Sequence, residues 1–398
     1  MLNRLGRTLL RCGVWALASS VLVISCSETT RPQLPLSGPW KSLAAAASHT
    51  CGVTADGAAH CWGYNGDGAL GNGLHSVGSS VPTPVSGGLA FRLVQVGIGH
   101  YLLADPTTGE ATCGLTDAGT AYCWGWNAAG RLGNGTSANG LAPAPVLGEQ
   151  KYVALAMQDD AICGVTTAGA VYCWGLNIGG VDTSAGPTIT SPAPVVGGLI
   201  FASVAVGSYH SCGLTGAGVA YCWGNNGAGQ FGDGSDSSSV VPVPAAGGLR
   251  FATLTAGGEY TCGLTFGGAA YCWGFNGVGQ LGEGTWDERM TPTAVVGGLT
   301  FASLAAGYGT TCGLTRSAAA YCWGDNSFGQ LGTGNTTASS QPLPVATELR
   351  FASLAVGADH VCGVTPGGAA YCWGDNSVGQ LGDGTTVQRL KPVPVVSP

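Results

Sequence analysis

Two cysteines ten positions apart recur seven times along this chain. The pairs are Cys51 and Cys61, Cys113 and Cys123, Cys163 and Cys173, Cys212 and Cys222, Cys262 and Cys272, Cys312 and Cys322, and Cys362 and Cys372. Each pair sits in nearly the same stretch of sequence. CGLTFGGAAYCWGFNGVGQLGEGT starts at Cys262 and CGVTPGGAAYCWGDNSVGQLGDGT at Cys362. Successive copies begin about fifty residues apart, a period that marks repeat architectures whose units bury their apolar faces against one another.

The spacing predicts that each pair closes its own hairpin. Gly268 lies six residues after Cys262, and the same place holds Gly57, Gly119, Gly169, Gly218 and Gly368, with Ala318 the exception. A three-residue loop built from a type I turn and a left-handed residue favours glycine at its third position. Placing that loop at Phe266-Gly267-Gly268 sets Thr265 against Ala269, Leu264 against Ala270 and Cys262 against Cys272. The cysteines then fall on a non-hydrogen-bonded pair, where Cα atoms approach to about 4.5 Å, within disulfide range. A local disulfide is therefore expected, with metal-bound thiolates and free buried thiols as the alternatives. Two cysteines per unit with no second pair or histidines nearby make a poor zinc set.

Composition fits an all-β chain. Glycine supplies 70 of 398 residues, charged residues 9 % and hydrophobic residues 45 %. Short runs of Val, Ala, Leu, Tyr and Trp alternate with Gly/Asn/Asp/Ser clusters, the pattern of short strands and tight turns. Length alone would imply two or three domains, but a closed ring of repeats absorbs all of it. A net charge of −7, with no basic stripe outside the first eleven residues, speaks against phosphate-driven nucleic-acid binding. His49, His210 and His360 each precede a cysteine by two places, with Tyr260 in the same position. No nucleophile or carboxylate recurs beside them, so they are expected to be structural and the chain not an enzyme. Asp233-Gly234-Ser235-Asp236 and Asn65-Gly66-Asp67-Gly68 lack the ligand set of a calcium loop, so neither metal nor cofactor is expected.

The first residues read as an address. Arg4, Arg7 and Arg11 precede an apolar run from Cys12 to Ile24, too short for a membrane-spanning helix but suited to an export signal. Val23-Ile24-Ser25-Cys26 resembles the lipobox of bacterial lipoproteins. The resemblance implies cleavage before Cys26 and acylation of that cysteine, and Ser27 implies sorting to the outer membrane; ordinary secretion is the alternative. The expected organisation is a leader over 1–25, a lipidated cysteine and linker over 26–39, and repeats over 40–398. The units span about 40–90, 91–151, 152–200, 201–250, 251–300, 301–350 and 351–398. Fourteen cysteines remain after Cys12 and Cys26 are set aside, an even number that suits an oxidising compartment.

The string YCWGxNxxGQLGxGT, followed by Pro-x-Pro-Val and Phe-Ala-Ser-Leu-Ala-x-Gly, resembles the repeat of the regulator of chromosome condensation (RCC1) family. The resemblance covers the chain from about Trp40 onward in seven copies. It implies a seven-bladed β-propeller with four strands to a blade, units opening at Trp40, Phe91, Tyr152, Phe201, Phe251, Phe301 and Phe351. The tryptophans of the Trp-Gly pairs (Trp62, Trp124, Trp174, Trp223, Trp273, Trp323, Trp373) are expected to pack between blades. The nucleotide exchange performed by the family's namesake does not carry over, since only the framework matches and fold does not fix function.

Recognition is expected where the repeats differ. The residue between Trp-Gly and Asn changes from unit to unit: Tyr64, Trp126, Leu176, Asn225, Phe275, Asp325, Asp375. Symmetry places all seven on one face, with Tyr101 in an insertion of the second unit and Trp286 in a loop of the fifth as further candidates. Aromatic anchors in a polar surround are what protein interfaces favour. The expected function is a monomeric, non-enzymatic scaffold that binds a protein or glycan and meets the membrane only through lipid on Cys26. Two alternatives stand beside it: an enzyme inhibitor, like the secreted propeller-type β-lactamase inhibitors, and an enzyme with a site in the central channel.

Overall fold

The computed structural model describes residues 11–15, 23–27, 39–97, 109–177 and 188–398. The chain divides into two units, Met1–Leu36 and Ser37–Pro398. In the first, Arg11–Trp15 pairs antiparallel with Val23–Ser27; most of the expected leader and linker lies outside the described residues. The second is a seven-bladed propeller. Each blade is a four-stranded antiparallel sheet of consecutive strands in chain order. Blade 1 comprises Trp40–Ala45, His49–Thr54, Ala59–Tyr64 and Gly78–Pro84; blade 7 comprises Ser353–Val356, His360–Val364, Ala370–Gly374 and Arg389–Pro394.

The first strand of every blade lines a central channel of about 310 Å³, with Leu43, Ala44, Gln95, Ala156, Leu254 and Ala305 among its walls. Seven strands converge there, which suits the small residues of the Ala-Ser-Leu-Ala segment. The fourth strands form the perimeter. They carry Pro82 and Pro84 in blade 1 and Pro392 and Pro394 in blade 7, with both prolines at matching places in the other blades except blade 5, where Ala294 replaces the second. A proline has no N–H to offer, so the outer edge is a poor template for another strand.

The hairpin register holds as expected. Cys262 faces Cys272 and Leu264 faces Ala270, while the Gly268 N–H donates to Thr265 O at 2.9 Å. All seven cysteine pairs are disulfides within their own hairpins. Cys51 joins Cys61, Cys113 joins Cys123, Cys163 joins Cys173 and Cys212 joins Cys222. Cys262 joins Cys272, Cys312 joins Cys322 and Cys362 joins Cys372. Their Cα separations are 4.0–4.1 Å. Gly268 has φ +88°, and Ala318 must adopt φ +62° at the same place. A Cβ in that region is costly, whereas glycine enters it freely. Ala318→Gly is accordingly expected to stabilise the protein by about 0.5–1 kcal/mol. An unchanged or lower denaturation midpoint would contradict this.

Between blades, five of the seven disulfides pack in one cluster with the aromatic pair of the next unit. Cys51 and Cys61 share a core cluster with Phe91 and Trp124, and Cys312 and Cys322 share one with Phe351 and Trp373. Within a blade the two aromatic centroids lie 5.4–5.9 Å apart. Each buried indole must also place its N–H, and for six of the seven the turn after the third strand of the preceding blade receives it, Trp223 being the exception. Gln230 O accepts from both Trp273 Nε1 and Thr261 Oγ1, each at 2.9 Å. Gln280 O does the same for Trp323 and Thr311, and Gln380 O for Trp62 and Thr50. The last pair spans blades 7 and 1. There Trp40 and Trp62 pack with Cys362, Cys372, Leu381 and Val395, and the Trp40 N–H donates to Gly368 O at 3.1 Å. The ring thus closes by contact between adjoining blades with no strand shared.

Candidate binding face

The Trp-Gly glycines define one end of each blade. Their φ values run from +95° to +109°, and a Cβ built on Gly274 would meet Glu259 O at 2.6 Å. The next N–H donates to that same carbonyl: Phe275 to Glu259 at 2.9 Å, Tyr64 to Ser48 at 2.8 Å, Trp126 to Glu110 at 2.9 Å. The remaining blades repeat the bond as Leu176 to Asp160, Asn225 to Tyr209, Asp325 to Gly309 and Asp375 to Asp359. Two positions per repeat are thereby tied together at one end of every blade. One follows Trp-Gly; the other lies three residues before the first cysteine, in the turn between the first two strands. The sequence reading singled out the first position and missed the second, although it holds Glu110, Asp160, Tyr209, Glu259 and Asp359. Alignment of the seven turns would have exposed that variation.

The face is uneven. Asn225 is exposed, and Tyr64, Leu176, Phe275 and Asp325 are half-buried. Trp286 is 49 % exposed, and Tyr101 lies outside the described residues. Trp126 and Asp375, at 9 % and 6 % exposed, do not present a free surface. Trp126 is covered by Arg131, whose guanidinium carbon sits 4.4 Å from the ring centroid. Arg131 occupies the place of glutamine in the Gln-Leu-Gly motif; it donates to Gly109 O at 2.6 Å and pairs with Asp160. Burial lowers its pKa to about 9, so it stays charged at neutral pH and answers the acids around it. In blade 7 the Asp375 carboxylate accepts from Gln380 Nε2 at 2.7 Å and from Ser377 Oγ at 2.8 Å, and in blade 6 the Asp325 carboxylate accepts likewise from Gln330 Nε2 at 3.0 Å and Ser327 Oγ at 2.7 Å. Arg131 is a substitution elsewhere in the repeat, which a single variable column does not reveal.

His210 and His360 link neighbouring blades. His210 Nε2 and Thr261 Oγ1 lie 2.8 Å apart, and His360 Nε2 and Thr50 Oγ1 lie 2.7 Å apart, each pair crossing a blade interface. Tyr260 replaces histidine, its hydroxyl lying 2.9 Å from both Thr311 Oγ1 and Thr310 O. Burial holds the His210 pKa down to about 3 and that of His360 to about 4. Both rings are neutral at physiological pH and unsuited to proton transfer there.

Where blades 5, 6 and 7 meet, the face opens into a cavity of about 170 Å³. It is lined by Phe275, Val278, Tyr308, Glu259, Asp325 and Asp359, among others. Tyr308 is 43 % exposed. Burial, then the carboxylates of Asp325 and Asp375, push the Asp359 pKa up to about 7. Among the described residues the ion pairs are His49–Glu110, Arg131–Asp160, Arg289–Glu283 and Arg389–Asp383. None reaches Glu259, Asp325 or Asp359.

Three comparisons place this geometry among known proteins. The family model described as RCC1-like domain matches residues 107–397, and RCC1 repeat models match residues 40–69 and 56–104. The ultraviolet-B receptor UVR8 of Arabidopsis thaliana is 32 % identical over 108 residues, a stretch covering 27 % of this chain and only 22 % of that receptor. Prp20p of Saccharomyces cerevisiae, studied for its binding to Gsp1p and histones, superposes with a TM-score of 0.73 at 22 % identity, over 85 % of each chain. The ectodomain of the receptor kinase CR4 from Physcomitrella patens gives a TM-score of 0.54 at 26 % identity, over 85 % of this chain and 74 % of that one.

Proposed function

Because the chain belongs to the RCC1-like domain family, we propose that it is a non-enzymatic binding scaffold that works outside the cytoplasm. A protein partner docks on the blade ends that carry the paired variable residues. The observation that carries this reading is the division of labour within each repeat. The recurring Trp, Cys and Gln-Leu-Gly residues are consumed by blade packing, while the two varying positions are bonded together at one end. Seven buried disulfides suit an oxidising compartment. The lipobox-like Val23-Ile24-Ser25-Cys26 supports tethering to the envelope by lipid on Cys26, and a Cys26→Ser chain that stayed in the membrane fraction would remove the tether from this reading.

The test is affinity capture from envelope extracts with the propeller, residues 40–398, as bait. Tyr64→Ala, Phe275→Ala and Tyr308→Ala combined are expected to abolish capture while shifting the melting temperature by only a few degrees. Collapse of melting would make these rings core and sink the face. Capture of the same partner by the triple variant would sink it as well.

A further inference from the structure

Resting on that binding-face reading, we infer that the cavity between blades 5, 6 and 7 receives a cationic side chain, arginine or lysine, from a basic segment of the partner. Phe275 and Tyr308 give it aromatic walls, and Glu259, Asp325 and Asp359 give it carboxylates. This combination recognises cations twice over. The ring faces attract a guanidinium or ammonium group through their quadrupoles, and carboxylates accept charge-assisted hydrogen bonds.

The opposite side of the same face shows what happens when the chain supplies the cation itself. Around blades 2 and 3, Arg131 stacks on Trp126, pairs with Asp160 and bonds Gly109 O. An aromatic ring following Trp-Gly and an acid from a first turn are both satisfied there by one buried guanidinium. Blades 5 to 7 carry the same two kinds of residue, Phe275 at the repeat position of Trp126 and Glu259 and Asp359, from blades 5 and 7, at that of Asp160, while the blade-6 counterpart of Asp160 is Gly309. There the glutamine of the motif is retained as Gln280, and no described cation pairs with the acids. In place of an internal arginine stands an open cavity. The raised pKa of Asp359 reports burial and mutual repulsion, both of which an incoming positive charge offsets.

Hexa-arginine, hexa-lysine and hexa-glutamine peptides, titrated calorimetrically into the propeller at pH 8 and low salt, test the inference. The two cationic peptides are expected to bind and the glutamine peptide not to. Glu259→Gln, Asp325→Asn and Asp359→Asn combined should weaken cation binding at least tenfold. They should leave the melting temperature equal or higher, since they remove repelling charges. The control is Asp117→Asn, Asp233→Asn and Asp236→Asn, which changes net charge equally away from the cavity and should retain affinity to within threefold. Equal binding of the glutamine peptide, or equal loss in both triple variants, would overturn the cation site. A natural partner captured undiminished by the variant lacking all three cavity carboxylates would overturn it too, while leaving the binding face itself standing.

Discussion

Treated with dithiothreitol at neutral pH without denaturant, the folded propeller is expected to release no free thiols over hours. All fourteen paired cysteines are at most 4 % exposed, and exchange requires a thiolate to reach a sulfur in line. Denaturant should open them together with the blades. Refolding of the fully reduced chain then measures what the bridges contribute. Closing a loop of ten or so residues is worth roughly 2–3 kcal/mol in the chain-entropy account. Even if half of that survives in an already ordered hairpin, seven bridges contribute about 10 kcal/mol, comparable with the whole stability of an ordinary domain. The reduced protein should therefore melt on the order of 15 °C lower, or not refold at all. Thiols titrating under native conditions, or reduced and oxidised chains melting together, would contradict this.

The second large effect lies between blades. Trp273→Ala should cost about 3–5 kcal/mol, because it empties a fully buried interface site. It also leaves Gln230 O with one donor fewer. Trp273→Phe separates the two contributions: it keeps most of the packing and forfeits the indole hydrogen bond, about 1 kcal/mol. The informative comparison is Trp223. The third repeat has lost Gln-Leu-Gly, and Trp223 Nε1 has no hydrogen-bond partner among the described residues. Trp223→Phe should accordingly be milder than Trp273→Phe by about that amount. Equal midpoints for the two phenylalanine variants would show that the carbonyl–indole bond contributes nothing.

Those interfaces explain what could be read from the chain in advance. Cys262 facing Cys272 is a local matter, settled by a turn and strand alternation, so residue spacing sufficed to place it. The same holds for Cys123, Cys173 and Cys222, each bonded to the cysteine ten residues before it. The blade count followed from the period. The order of strands at ring closure did not, because nothing local distinguishes a blade completed by the other terminus from one built of four consecutive strands. The binding face was half legible. The residue after Trp-Gly stood out by its variation, but its exposure depends on partners elsewhere. Trp126 is hidden because Arg131 replaces a glutamine five residues on. Glu259, Tyr308 and Asp359 escaped notice because the cavity they share is formed by three different repeats.

That each blade is complete in itself has a consequence for how such a molecule can change. The seam between the last blade and the first is held by the same tryptophan, carbonyl and cysteine contacts as several other junctions. The chain could therefore be opened at a different junction and its ends rejoined with little loss. Whole modules can be exchanged between relatives in the manner of cassettes, carrying their tip residues with them. A partner preference could then shift by recombination without any alteration to the frame.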